Sequence, residues 1–217
     1  MKRILTSSIF FLSTALHAQI SFGPVAAIQY STCVGGYSYI KYQWEYGYQA
    51  GGFVLFPFKE NAFFQSGLIV NSEAYKYQYT QAFNDGSAST TAYMHVAYLQ
   101  VPALCRKAFG NGMHLEGGGF VSYQISQHSG ETTYYESLID SFVMISQSAS
   151  EDYNITGNRW QVGLAAGFGY LKSGFDLSLN SQYHLTSLFD MSDANYQKQH
   201  LFALSLALAY HIKEKAR

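Results

Sequence analysis

The last third of the chain alternates apolar and polar residues with a period of two. In Phe175 to Thr186, one face carries Phe175, Leu177, Leu179, Ser181, Tyr183 and Leu185, and the other Asp176, Ser178, Asn180, Gln182, His184 and Thr186. Such a period marks a β-strand with one face in an apolar medium and the other among polar groups. The final segment repeats it, with Phe202, Leu204, Leu206, Leu208, Tyr210 and Ile212 against Ala203, Ser205, Ala207, Ala209 and His211. Trp160, Val162, Leu164, Ala166, Phe168 and Tyr170 likewise alternate with Gln161, Gly163, Ala165, Gly167 and Gly169, whose small size leaves room for larger side chains from opposite strands.

Extending the pattern backwards predicts eight strands: Ile20 to Tyr30, Tyr46 to Phe58, Ala62 to Tyr77, Thr91 to Lys107, His114 to Ser126, Asn158 to Leu171, Phe175 to Leu188 and Gln199 to Ile212. The first three alternate less clearly, and their faces stay open. Lys59-Glu60-Asn61, Phe109 to Met113 and Lys172-Ser173-Gly174 read as tight connections. Ser31 to Glu45, Gln78 to Thr90, Gln127 to Gly157 and Phe189 to Lys198 read as long ones, in strict alternation with the tight set. An antiparallel meander sends alternate connections to opposite ends, so one end is trimmed and the other elaborated, as in outer-membrane barrels. The fold class is therefore all-β, a single antiparallel up-and-down transmembrane β-barrel of eight strands. Ten remain open if Ser141 to Ser148 joins the sheet.

A lipocalin-like soluble barrel also has eight strands, but its outer polar face meets water and should carry Lys and Glu. Here the polar faces of the last three strands are Ser, Asn, Gln, Gly, Ala and His, with Asp176 the one charge. Small neutral residues suit a packed wet lumen, which favours the membrane barrel.

The first 18 residues form a separate unit. Met1-Lys2-Arg3 is a positive start, Ile4 to Leu16 an apolar stretch shorter than the ~20 residues of a spanning helix, and Leu16-His17-Ala18 a small-residue end. Residues 1–18 are thus expected to be a secretory signal peptide cut between Ala18 and Gln19, with residues 19–217 as one barrel domain.

Composition fits this picture. Aromatic residues (17%) outnumber charged ones (12%), and the formal charge is −1, which excludes a disordered chain and lacks the basic excess of a nucleic-acid binder. The segment Gln127 to Gly157 holds Glu131, Glu136, Asp140, Glu151 and Asp152 without Lys or Arg, whereas Lys59, Lys107, Lys172, Lys213, Lys215 and Arg217 gather at the tight-turn end. The acidic stretch reads as a solvated loop.

Tyr98-Leu-Gln-Val-Pro-Ala-Leu104 and the Gly163 to Leu188 hairpin, turning at Lys172-Ser173-Gly174, resemble the outer membrane beta-barrel domain family, the porin-family small outer-membrane proteins. One departure is the end of the chain. Barrels of this kind commonly end on an aromatic residue recognised during assembly, whereas Lys213-Glu-Lys-Ala-Arg217 follows Ile212 here. The resemblance implies a location in a Gram-negative-type cell outer membrane, and outer-membrane lipids and the barrel-assembly machinery as partners. The chain itself is expected to be a monomer.

Candidate chemistry is sparse. If the turn after the fourth strand centres on Asn111, Arg106 and Glu116 stand opposite each other on the inward face, and they are expected to form a structural ion pair in the lumen. The histidines show no metal-ligand spacing, and neither His-Glu-x-x-His nor Gly-x-Ser-x-Gly occurs. Ser178 and His184 share a face but lie six residues apart, roughly 20 Å at ~3.3 Å per residue, too far to act together. No catalytic, cofactor or metal site is expected, and the chain is read as a non-enzyme. Cys33 and Cys105 fall towards opposite ends of the barrel and are expected to be free thiols. An eight-stranded lumen is filled by side chains, so the leading functional expectation is a structural or surface-contact role through the long loops. The alternatives are a small-solute pore, a lipid-modifying enzyme and a barrel component of a secretion machine.

Overall fold

The computed structural model describes residues 20–36, 39–83, 86–137, 143–148, 159–187 and 198–213. The proposed cleavage site at Ala18 and Gln19 lies outside them, as do Asp140, Glu151 and Asp152 of the acidic stretch.

The described residues form strands β1 (Ser21–Gly35), β2 (Lys41–Lys59), β3 (Ala62–Phe83), β4 (Gly86–Ala108), β5 (Met113–Ser137), β6 (Val143–Ser148), β7 (Trp160–Lys172), β8 (Phe175–His184), β9 (Gln199–Tyr210) and β10 (Ile212–Lys213). All pairings are antiparallel, in the order β1-β2-β3-β4-β5-β7-β8-β9, and β9 returns to β1 from Val25↔Ala209 to Gly35↔Gln199. The ring closes on eight staves.

The two extra strands do not widen it. β10 continues the β9 stave, with Ser21↔Lys213 and Phe22↔Ile212 in the same register as the β1–β9 pairs. The ladder lapses between them at Pro24, which has no N–H to donate, and at Gly23, where a Cβ would sit 1.6 Å from the Tyr210 carbonyl oxygen. β6 pairs with β5 over Glu131↔Ser148 to Glu136↔Val143, while β7 takes the same edge of β5 lower down, from Met113↔Tyr170 to Tyr123↔Trp160. Residues 143–148 therefore join the sheet without making a ten-stranded barrel.

The tight turns are as expected. In the β7–β8 hairpin Lys172 pairs with Phe175, and both turn residues, Ser173 and Gly174, have positive φ (53° and 86°), the primed geometry that matches strand twist. At the other end residues 31–35, 41–45, 78–83, 86–90, 127–137 and 143–148, expected in long loops, are strand, which corrects the strand boundaries, while 189–197 of the fourth expected loop lie outside the described residues. β3 and β4 stay paired up to Phe83↔Gly86, and β4 and β5 up to Gly86↔Ser137. Residues 78–83 and 86–90 are thus paired strand. Their polarity reads as a loop, yet a sheet standing clear of the membrane needs no apolar face.

Burial alternates most cleanly along β4, β7, β8 and β9, and the lipid-type face is the exposed one. Ile28, Leu68, Val101, Leu164, Leu179 and Leu206 are exposed in a central band. Phe22, Phe56, Tyr170, Phe175 and Tyr210 border it at the tight-turn end, and Tyr30, Tyr48, Trp160 and Tyr183 at the other. Phe175 to Tyr183 is eight residue steps. At ~3.3 Å per step and ~40° tilt they cover about 20 Å of height, close to the ~25 Å apolar band of such barrels. β3, β4 and β5 run on past this band and stand out as a projecting sheet.

Candidate functional site

Three layers fill the barrel. At the tight-turn end, β4 and β5 place Arg106 opposite Glu116, and the guanidinium donates from Nε at 3.1 Å and Nη2 at 2.8 Å to Glu116 Oε2. Arg106 Nη1 also donates to Asp176 Oδ2 of β8 at 2.5 Å. Asp176 Oδ2 lies 3.1 Å from His211 Nε2, and Asp176 Oδ1 3.6 Å from His114 Nε2. Ser21 Oγ meets His211 Nδ1 at 3.2 Å, and Asn180, with its amide turned to satisfy its neighbours, donates to Glu116 Oε1 at 3.0 Å. Arg106, Glu116, Asp176, His114 and His211 are all buried. One guanidinium thus holds two carboxylates, and two imidazoles line the second of them.

The middle layer is a chain of amides. Gln49 Nε2 donates to Gln29 Oε1 (2.7 Å), Gln29 Nε2 to Asn71 Oδ1 (2.7 Å), and Asn71 Nδ2 to Gln100 Oε1 (3.0 Å) and Glu73 Oε1 (2.8 Å). Glu73 faces His184 Nε2 at 3.2 Å, and neither residue is exposed at all. Primary amides both donate and accept, so they can pass hydrogen bonds from stave to stave without net charge. Each link also spares a buried polar group the cost of going unpaired. A cavity of about 60 Å³ lies between this layer and the charged one, bounded by Gln49, Gln100, Gln182, Arg106, Glu116 and Asp176. It has room for a few waters.

Above the amides, Cys33, Tyr75, Met94, Val96, Tyr98 and Leu201 pack into an apolar plug, with Tyr42 and Tyr77 against it and the Tyr75 hydroxyl donating to Met94 Sδ at 3.0 Å. Below the charged layer, a vestibule of about 340 Å³ is lined by Leu55, Phe63, Phe109, Arg106, His114 and His211. Arg106 borders both spaces and, with its two carboxylates, forms the partition between them.

A closed antiparallel ring, an apolar belt turned outward and a polar packed interior define a transmembrane barrel. The model of the outer membrane protein beta-barrel domain family matches residues 14–190. The chain belongs to that family. No curated protein matches it. Among solved structures this outer-membrane barrel is similar to Ail, the attachment invasion locus protein of Yersinia pestis (11% identity, TM-score 0.37, covering 89% of this chain and 99% of that one). It is also similar to the outer membrane protein OprG of Pseudomonas aeruginosa (11% identity, TM-score 0.40, 90% and 97% covered) and to Neisserial surface protein A (10% identity, TM-score 0.39, 87% and 96% covered).

Sequence reasoning about this outer-membrane barrel placed Arg106 and Glu116 together but missed Asp176, His114 and His211 as their neighbours, and missed the Glu73–His184 pair. Inward parity was legible for Asp176, His114, His211 and His184, but not for Glu73, whose strand alternates too weakly to assign its faces. Their heights were not, because strands that do not share a hairpin are brought level only by the stagger of the closed ring. Ser178 and His184 belong to different layers, with the Ser178 hydroxyl donating to the Asn180 amide oxygen at 3.2 Å and His184 engaged by Glu73. Cys33 is buried in the plug, and Cys105 is exposed on the outer wall beside Arg106, at the tight-turn end. Among the described residues, no group of three or more metal-ligating side chains converges.

Proposed function

We propose that this chain is a non-conducting, non-enzymatic barrel of a Gram-negative-type outer membrane, exported by a signal peptide cut between Ala18 and Gln19. Its role is structural or one of surface contact, carried by the sheet of β3, β4 and β5 that stands beyond the apolar belt. The observation that supports this reading is the filled lumen. A plug of Tyr75, Tyr98, Met94, Val96, Leu201 and Cys33 sits on a hydrogen-bonded amide layer, which sits on the Arg106 ion-pair cluster. A solute crossing it would break charge-assisted bonds in a low-dielectric interior, and the freed groups would go unpaired.

Reconstitution of the purified protein in a planar bilayer tests this. No stable conductance steps above leak are expected, and reproducible open levels would reverse the reading in favour of a small-solute pore. Mass spectrometry of lipid A from cells with and without the protein should give identical spectra, and a protein-dependent shift would instead mark a lipid-modifying enzyme. Terminal sequencing of the exported protein should begin at Gln19.

A further inference from the structure

His95 and His128 are distant in sequence but directly opposite in the β4–β5 register. Both are exposed, while Met94 and Val96, the chain neighbours of His95, are buried on the inward face. The two imidazoles therefore share the outer wall. They lie beyond the register shift at Ala97/Tyr98, two residues above it on β4, whereas the exposed Leu99 and Val101 of the apolar belt lie below it. This puts the pair clear of the hydrocarbon, where water and ions reach it.

Tyr93 flanks both rings, with centroids 5.9 Å from His95 and 6.4 Å from His128. Its own ring lies flat across Gly130, where a Cβ would come within 2.3 Å of the Tyr93 ring atoms. Gly130 thus holds Tyr93 down as a wall on one side of the pair.

Directly opposed residues of an antiparallel pair have Cβ atoms ~4.5–5.5 Å apart. Two imidazole nitrogens at ~2.0–2.1 Å from one metal ion stand roughly 3 Å from each other, within the span of two side chains on such a base. Imidazole suits Zn²⁺, Cu²⁺ and Ni²⁺, and does not suit Mg²⁺ or Ca²⁺, which need oxygen ligands.

We propose that His95 and His128 form a two-imidazole site for a divalent transition-metal ion on the outer wall of the projecting sheet. The ion would clamp β4 to β5 just above the irregularity in their ladder and keep its remaining coordination positions open to water or to an anionic oxygen of the surrounding lipid surface. The site is independent of the lumen and of the conductance question.

Cu²⁺ is the probe, since it leads the first-row affinity order and reports its ligands by electron paramagnetic resonance. The tag-free chain folded in detergent micelles should bind one equivalent at micromolar concentration, with hyperfine splitting from two nitrogens, and Zn²⁺ should displace it. His95→Asn and His128→Asn should each weaken binding at least about tenfold, the low end of what loss of even an outer-shell partner costs a metal site. His200→Asn should leave binding unchanged. Both key substitutions are at exposed positions, and heat-modifiable gel mobility verifies that each variant is folded. Absence of binding, a one-nitrogen spectrum, or full affinity retained by either variant would overturn the proposal.

Discussion

Replacing Arg106 by Met keeps much of the side-chain volume and removes only the charge that joins two buried carboxylates. In the native lumen Arg106 donates three bonds, at 3.1 and 2.8 Å to Glu116 and 2.5 Å to Asp176. Charge-assisted bonds contribute ~1.5–3 kcal/mol each in mutational series, but desolvation of the ions offsets part of this. What dominates is the state left behind, in which Glu116 and Asp176 stay buried without their counter-charge. Removing one partner of a buried pair costs about 3–5 kcal/mol, and that is the expected loss for Arg106→Met.

Glu116→Gln in the same background removes one of the stranded charges and should recover about 1–3 kcal/mol. Recovery is incomplete because Asp176 keeps only its imidazole neighbours. Adding Asp176→Asn should bring the triple variant to within about 2 kcal/mol of the native protein. The assay is equilibrium urea unfolding in lipid or detergent, followed by the fluorescence of Trp44 and Trp160, with mobility of unheated samples as an independent probe of the folded ring. Strict additivity of the three substitutions, or a loss under about 1 kcal/mol for Arg106→Met, would show that the cluster is not a coupled unit and would falsify the partition described above.

Three further outcomes follow from the geometry. Leu179→Arg, in the middle of the exposed belt, should cost about 2–4 kcal/mol of folding stability in a bilayer, whereas Phe83→Arg, equally exposed but on the projecting sheet, should cost about 0–1 kcal/mol, and equal costs would contradict the placement of the belt. Alkylation of the unreduced, unfolded protein should modify two thiols, since Cys33 lies in the plug and Cys105 on the outer wall at the tight-turn end, and a mass that changes only after reduction would reveal a bridge. In the folded protein, a thiol reagent should reach Cys105 once detergent is exchanged for a smaller micelle and should leave Cys33 unmodified, as its 2% exposure requires.

The register between hairpin neighbours is legible in the amino-acid order alone. A tight turn centred on Asn111 makes Arg106 and Glu116 equidistant from it, and a strand period of two puts both on one face. The folded barrel has the pair in that register at 2.8 Å. Other placements were misread for a local reason. Residues 78–83 and 86–90 are largely polar on both faces, so alternation gives no signal there, and they are strand because β3 and β4 stay paired through them up to Phe83↔Gly86. The β2 face stayed open because its ladder with β3 shifts register between Trp44 and Tyr48, which breaks a strict period of two.

By itself, then, the sequence determined the period of each clear strand, the face that meets lipid, the positions of the tight turns and the sparseness of charge, since all of these depend on residues within one strand or one hairpin. Only the tertiary structure decided which residues meet across the ring. Asp176 joins Arg106 and His184 joins Glu73 through a stagger that no single hairpin encodes, and within the β4–β5 hairpin His95 faces His128 only because of the register shift at Ala97/Tyr98. The physical reason is closure. A flat meander can slide its strands by pairs of residues without turning any side chain to the wrong face, whereas a closed ring admits one set of heights, and those heights bring the buried charges level with each other.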